Sequence, residues 1–252
     1  MMRLVALAAS LHAPPLLRPP LRLGLRAGLT RACSSDARPK RSPIEGGTCY
    51  YVSTPIGNLE DITVRALRTL KEADYVASED TRVTATLLRA LDVGSKKILP
   101  HHDFNLEESV PKLLSLLTDG KSVAVVSDAG TPGISDPGLA LAAACAAKGV
   151  PVVSVPGPCA AVAAVSVAGV SAGEFVFAGF LARSGKARRE KVAELCNEPR
   201  AVVMYEAPHR VVNTLADLCA GGCAERGVAV ARELTKLHEE WHRGSVRDAY
   251  TR

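Results

Sequence analysis

Residues 122–128, S-V-A-V-V-S-D, run directly into A-G-T-P-G-I-S-D-P-G at 129–138. Val123–Val126 are small or β-branched apolar residues with no polar alternation, the pattern of a strand buried on both faces of a parallel sheet. The following glycines mark a turn. Residues 137–149, P-G-L-A-L-A-A-A-C-A-A-K-G, then predict a helix with Pro137 at its start and Gly149 past its end. Strand, glycine-rich turn and helix together make the repeating unit of an α/β fold.

The same unit recurs on both sides. Strands are predicted at 48–53, 74–78, near 96–102 and at 151–155, with helices over 62–73, near 83–91 and over 106–120. In the first helix Ile62, Ala66, Leu67 and Leu70 share one face. Pro111 should fall early in the third or kink it. Residues 156–159, P-G-P-C, read as a hinge. A second alternating half follows, with strands at 175–181, 200–206 and 227–233 and helices within 160–168, near 186–196 and near 209–219. The stretch 241–250, W-H-R-G-S-V-R-D-A-Y, reads as an edge strand and the start of a helix. Largely parallel α/β sheets are expected, with domains at 48–156 and 159–252.

Charge is unevenly spread over the 252 residues. The chain carries a net +5, but residues 1–44 hold eight basic groups against the single acid Asp36. The remainder has 23 basic and 25 acidic groups, a net −2, so any nucleic-acid contact must come from a local patch. Rich in Arg, Ala, Leu and Pro, residues 1–44 read as an organelle transit peptide, plastid ahead of mitochondrion. Prolines 14, 15, 19 and 20 preclude a long helix there. The seven cysteines are scattered without a C-x-x-C pair, as for free thiols in a reducing compartment. Residues 151–173 carry no charge, yet Pro151, Pro156, Gly157 and Pro158 break the run and no membrane span is expected.

Polar and glycine-rich clusters fall where the strands should end, which is where ligands bind in open α/β sheets. In the Asp128–Gly133 turn, Gly130 and Gly133 allow close backbone approach and Thr131 offers a hydroxyl; alone, it equally suits an ordinary glycine turn. Neither G-x-x-x-x-G-K-[ST] nor G-x-G-x-x-G occurs, so the usual nucleotide loops are not indicated. Glu79, Asp80 and Arg82 follow one strand; Glu206, His209 and Arg210 follow another. Each set reads either as ion pairs fixing the fold or as groups that orient or deprotonate a hydroxyl. The neighbouring His101, His102 and Asp103 suit a cleft rim better than a metal site. Arg183, Lys186, Arg188, Arg189 and Lys191 form the dense basic run of the folded part, either a solvated helix face or a phosphate-holding patch.

Six segments in order, T-P-I-G-N-L-E-D-I-T (54–63), A-S-E-D-T-R (77–82), V-S-D-A-G-T-P-G-I-S-D-P (126–137), V-P-G-P-C-A-A-V-A-A (155–164), Y-E-A-P-H-R (205–210) and A-R-E-L-T-K (231–236), resemble a known family. It is the family of type I small-subunit ribosomal RNA methyltransferases, in the tetrapyrrole methylase-like (class III methyltransferase) superfamily. The resemblance covers about residues 49–247. It implies two α/β domains with S-adenosyl-L-methionine in the cleft between them, and no metal. It further implies 2′-O-methylation of a decoding-centre cytidine in 16S-type RNA of the small ribosomal subunit, by a homodimer.

Carried over position by position, Pro55, Asp128, Ala129, Gly130, Thr131, Ile134, Cys159 and Ala160 become cofactor contacts, with Tyr205, Ala231 and Arg232 as the other wall. Glu79, Asp80, Arg82, Glu206, His209, Arg210, Glu233 and Lys236 become acceptor-side candidates with no base assigned. The family pattern continues with a further helix and strand, so the second domain reads as truncated at Arg252. Two alternatives accompany this reading: a tetrapyrrole methyltransferase, and a ribosome-assembly factor that kept the fold without catalysis.

Overall fold

A computed structural model describes residues 5–10, as backbone, together with 43–170 and 173–252. Its first strand, β1 (Val5–Ser10), joins the second of two five-stranded sheets. The first sheet comprises β2 (Cys49–Val52), β3 (Tyr75–Ser78), β4 (Lys97–Pro100), β5 (Val123–Val126) and β6 (Val152–Val155), in the order β4-β3-β5-β2-β6. Every pairing within it is parallel. All four residues of β5 are buried, as a central strand covered on both faces must be.

One cover consists of α1 (Val64–Glu72) and α2 (Thr81–Ala90), whose Ala66, Leu70 and Leu88 meet Val52, Val76, Ala124 and Val126. Thr63 and Asp80 cap these helices by accepting backbone N–H groups of Ala66 and Arg82. The other cover is α3 (Leu106–Thr118) and α4 (Leu139–Ala147), with Leu113, Leu117, Leu141 and Cys145 against Cys49, Ala77, Val123 and Val125. Each fully buried side chain of this size contributes roughly 1.5–3 kcal/mol. Pro111 lies inside α3.

After the hinge come α5 (Ala160–Val167), β7 (Phe175–Phe180), α6 (Gly185–Asn197), β8 (Ala201–Glu206), α7 (Val211–Leu218), β9 (Gly227–Arg232), β10 (Glu240–Ser245) and α8 (Val246–Thr251). The second sheet has the order β10-β9-β1-β8-β7. Here the structure corrects the expectation of largely parallel pairing: only β7 and β8 pair parallel, and β1 and β10 pair antiparallel with their neighbours. The cause is β1. It lies between β8 and β9, which run in the same direction, and it bonds to both along its length. Without it the two strands would face each other with unpaired N–H and C=O rows.

The sequence reading assigned no strand to Val5–Ser10, which lies inside the expected address at 1–44; residues 1–4 and 11–42 of that stretch, Cys33 among them, lie outside the described residues. The other six cysteines are free, with Cys49, Cys145 and Cys223 buried. Among the described residues no helix is long and apolar enough to cross a membrane.

Candidate active site

Parallel strands deliver their carboxyl ends to one edge, so the loops after β2, β3, β4 and β5 converge. The first clamp joins the β2 and β5 loops. Thr54 N–H donates to the Gly130 carbonyl at 2.9 Å, and Gly130 N–H returns a bond to Thr54 at 3.1 Å. Gly130 holds φ of 97°, a conformation that other residues rarely adopt. Thr131 then reaches the hinge: its hydroxyl donates to the Pro158 carbonyl at 3.0 Å and lies 2.9 Å from Ser53 Oγ. Asp128 and Ala129 stay exposed between these anchors, and Ile134 is partly exposed.

The second half supplies a facing wall. Tyr205, at the end of β8, accepts the Ala161 N–H at 3.1 Å and lies 4.0 Å from Cys159 Sγ. Phe177 and Phe180 pack on its ring. Ala160, Tyr205, Ala231 and Leu234 share one buried cluster, and Ile56 of the β2 loop packs against it. Two close approaches tie the halves together. A Cβ at Gly57 would collide with the Lys236 stem and the Leu234 carbonyl, and Ser135 Oγ lies 3.0 Å from where a Gly179 Cβ would be. Pro55, Asp128–Thr131, Cys159, Ala160, Tyr205 and Ala231 are therefore brought together. Arg232 is not: its side chain is exposed and pairs with Glu240 at 3.2 Å across the β9–β10 hairpin, leaving only its backbone near the wall.

Acceptor-side candidates divide sharply. Glu79 is partly buried, and burial followed by the charge of Asp128 pushes its carboxyl up. Asp128 is raised as well, by partial desolvation of its carboxyl although the residue is exposed overall. Asp80 instead caps α2 and grips Arg82 at 2.7 Å, which holds its carboxyl well below the usual range. Glu233, at φ of 54°, pairs with Lys236 at 3.3 Å beside Gly57. His209 is exposed on a single 3-10 turn.

Glu206 needs correction as an acceptor-side group. It is fully buried, accepts Thr214 Oγ1 at 2.6 Å and Ala207 N–H at 2.9 Å, and pairs with Arg210 at 3.2 Å and Arg188 at 3.9 Å. Arg210 is committed too, donating to the Leu181 and Ala182 carbonyls.

Arg188 also leaves the RNA-facing set. Only 7% exposed, it donates to Asp217 at 2.6 Å, Thr214 at 2.8 Å and the Ala182 carbonyl at 3.0 Å. Position 188 points inward from α6 because Val192, one helix turn on, and Leu195, two turns on, share its buried face. Arg183, Lys186 and Arg189 are exposed; Lys186 meets Glu190 at 3.6 Å and Lys191 meets Glu194 at 2.7 Å.

Sequence reasoning passed over three residues here. Ser53 and Pro158 act through a single hydroxyl and a single carbonyl, which no motif announces. Asp136 is half-buried on the β5–α4 loop, and burial, then the charge of Glu79, pushes its carboxyl up to about 7. It stood in the quoted I-S-D-P-G segment, but its neighbours come from other strands.

Comparison with known proteins agrees with this architecture. The profile of the family described as Tetrapyrrole (Corrin/Porphyrin) Methylases matches residues 48–250. Solved structures of similar fold include a cobalt precorrin-4 methyltransferase (TM-score 0.58, 22% identity, 80% of this chain and 87% of that one) and a diphthine synthase (TM-score 0.60, 15% identity, 81% and 84%). At higher identity stand proteins named Ribosomal RNA small subunit methyltransferase I. That of Thermotoga maritima is 46% identical over 81% of this chain and 90% of its own. That of Synechocystis sp. is 45% identical over 81% and 72%. The chain belongs to the tetrapyrrole methylase family of methyltransferases, and within it to the ribosomal RNA small subunit methyltransferase I family.

Proposed function

We propose that this protein transfers a methyl group from S-adenosyl-L-methionine to the ribose 2′-hydroxyl of a decoding-centre cytidine in 16S-type RNA of the small ribosomal subunit. The observation that carries the reading is the double clamp, Thr54 with Gly130 and Thr131 with Pro158, which opens the β5 loop toward the Tyr205 wall. The residues present fit such a donor: Gly130 brings the loop backbone to within contact of Ile56 with no side chain between them, and Glu79 and Asp128 suit a cation beside them. When bound, the sulfonium supplies a methyl group already activated toward nucleophiles. The chain's own task is alignment, worth up to about 7–11 kcal/mol for well-oriented reactants. A free 2′-hydroxyl restricts the substrate to RNA rather than DNA.

The exposed Arg183, Lys186 and Arg189, with Lys191 beside them, are proposed to contact phosphates of the subunit. A homodimer acting in the plastid stroma, ahead of the mitochondrial matrix, completes the proposal. The test is transfer of labelled methyl from S-adenosyl-L-methionine by the full-length protein to small ribosomal subunits or to uroporphyrinogen. Labelled subunit RNA with unlabelled tetrapyrrole is expected. Labelled tetrapyrrole overturns the substrate assignment, and subunit binding without any transfer makes the protein an assembly factor.

A further inference from the structure

We propose that Asp136 is the catalytic base that takes the proton from the acceptor hydroxyl, an assignment that rests on the ribose-methylation reading above. Position singles it out. The 127–138 loop is pinned at one end by the Thr54–Gly130 bridge and at the other by Tyr51, whose hydroxyl donates to the Gly138 carbonyl. Between these pins Gly133, Ser135 and Gly138 all hold positive φ, at 83°, 61° and 137°. A serine in that conformation is strained, and such strain persists only where the surroundings enforce it. The enforced path sets Ser135 against Gly179 of β7, so its neighbour Asp136 stands where the first sheet's loops meet the second sheet.

The rival carboxylates are already committed. Asp80 holds Arg82, Glu206 is sealed between Arg188 and Arg210, and Glu233 holds Lys236. Glu79 accepts the backbone N–H of Asp128, and Asp128 accepts that of Asp80. Facing Asp136 are the carboxylates of Glu79, Asp103 and Asp128, from the ends of three strands, and the Tyr205 phenol from β8; Ser127 offers it a hydroxyl. His102 faces Glu79 in turn. With burial and three acids pushing its carboxyl up to about 7, Asp136 is a far better proton acceptor than an ordinary aspartate.

The step balances. A lone pair of the 2′-oxygen forms the new O–C bond to the methyl group. The S–C bond breaks with its pair remaining on sulfur, so the sulfonium becomes a neutral thioether. The hydroxyl proton passes to Asp136, and the carboxylic acid so formed later loses it to water.

Three measurements on the full-length protein test the assignment: methyl transfer to small subunits against pH, carboxyl titration by carbon-13 NMR without ligands, and calorimetric binding of S-adenosyl-L-methionine. Native protein should show activity rising with pH to a plateau through an inflection near 7, matched by a carboxyl titrating in the same region. Asp136→Asn should lose that resonance and the inflection, and lower kcat by about 10²–10⁴-fold. Its affinity for S-adenosyl-L-methionine should stay within a few-fold, about 3-fold at most, of native. Glu79→Gln should keep the inflection and move it to lower pH, because one facing negative charge is gone. An Asp136→Asn variant that keeps its kcat or its inflection overturns the assignment. Native protein that binds S-adenosyl-L-methionine but modifies no ribose overturns the parent reading instead.

Discussion

The first sheet draws its five strands from the continuous stretch Cys49–Val155 and pairs them all in parallel, whereas the second takes its middle strand from Val5–Ser10. The two also treat charge differently. Around the first sheet's loop ends, Glu79, Asp128 and Asp136 face one another, and desolvation raises each. In the second, Glu206 is buried deeper but enclosed by two arginines and a threonine hydroxyl. Buried acid is tolerated in one half because it is neutralised, and in the other because a cationic ligand and a proton transfer are proposed to make use of it.

The largest expected effect comes from removing β1. A chain beginning at Ile44, as cleavage of an address after residue 44 would nearly produce, loses both ladders of the second sheet's central strand. At about 1 kcal/mol per backbone hydrogen bond, the second sheet should lose more than about 5 kcal/mol. Segment-resolved hydrogen exchange should then show β8 and β9 unprotected while β3 and β5 stay protected. Equal protection in both sheets would mean that β1 contributes little or that another segment fills its place.

Next in size is the buried ion cluster. Arg188→Ala leaves Glu206 short of a cation and should cost about 3–5 kcal/mol in denaturant unfolding. Arg189→Ala, one residue away and exposed, should change stability by less than about 0.5 kcal/mol while weakening subunit binding. Similar losses from both would remove the distinction drawn between the two faces of α6.

These two predictions mark what the sequence could and could not disclose. The β2–β6 units were legible because each strand is a short apolar run beside its own helix and turn, so local pattern and final pairing agree. β1 was hidden because five apolar residues and a serine near a cluster of prolines look like an address, and its partners lie at the far end of the chain. Arg188 was hidden in a charge run; composition registers five basic residues, whereas helix geometry turns one of them inward. The Gly130 and Thr131 loop, proposed to hold the cofactor, was marked in the sequence by its glycines. Choosing Asp136 over Glu79 or Glu206 required knowing which carboxylates already had partners.

Gly130→Val forces a β-branched residue to φ of 97°, a strain of about 1–3 kcal/mol. Calorimetry should show S-adenosyl-L-methionine binding weakened by roughly tenfold or more, the equivalent of about 1.4 kcal/mol. Unchanged binding would place the donor away from the β5 loop.

The last effect is read by its sign rather than its size. The Asp136 carboxyl is raised in the folded protein, so between the ordinary aspartate value of about 4 and about 7 the folded state keeps a proton that the unfolded chain releases. That acid therefore costs stability increasingly as pH climbs through this window. Asp136→Asn should equal native protein near pH 4 and exceed it at pH 8, measured by thermal unfolding without ligand. A variant less stable than native at pH 8 would mean that Asp136 is held by favourable partners, as Glu206 is.

The account centres on one crevice, walled by both sheets, presenting one sugar oxygen to a methyl donor. Nucleoside mass spectrometry of small-subunit RNA, taken before and after incubation with the full-length protein and S-adenosyl-L-methionine, addresses that directly. The account predicts a stoichiometric gain of 2′-O-methylcytidine, which is slowed with Gly130→Val and slowed further with Asp136→Asn. A gain of base-methylated nucleosides, or none despite bound donor, would contradict it.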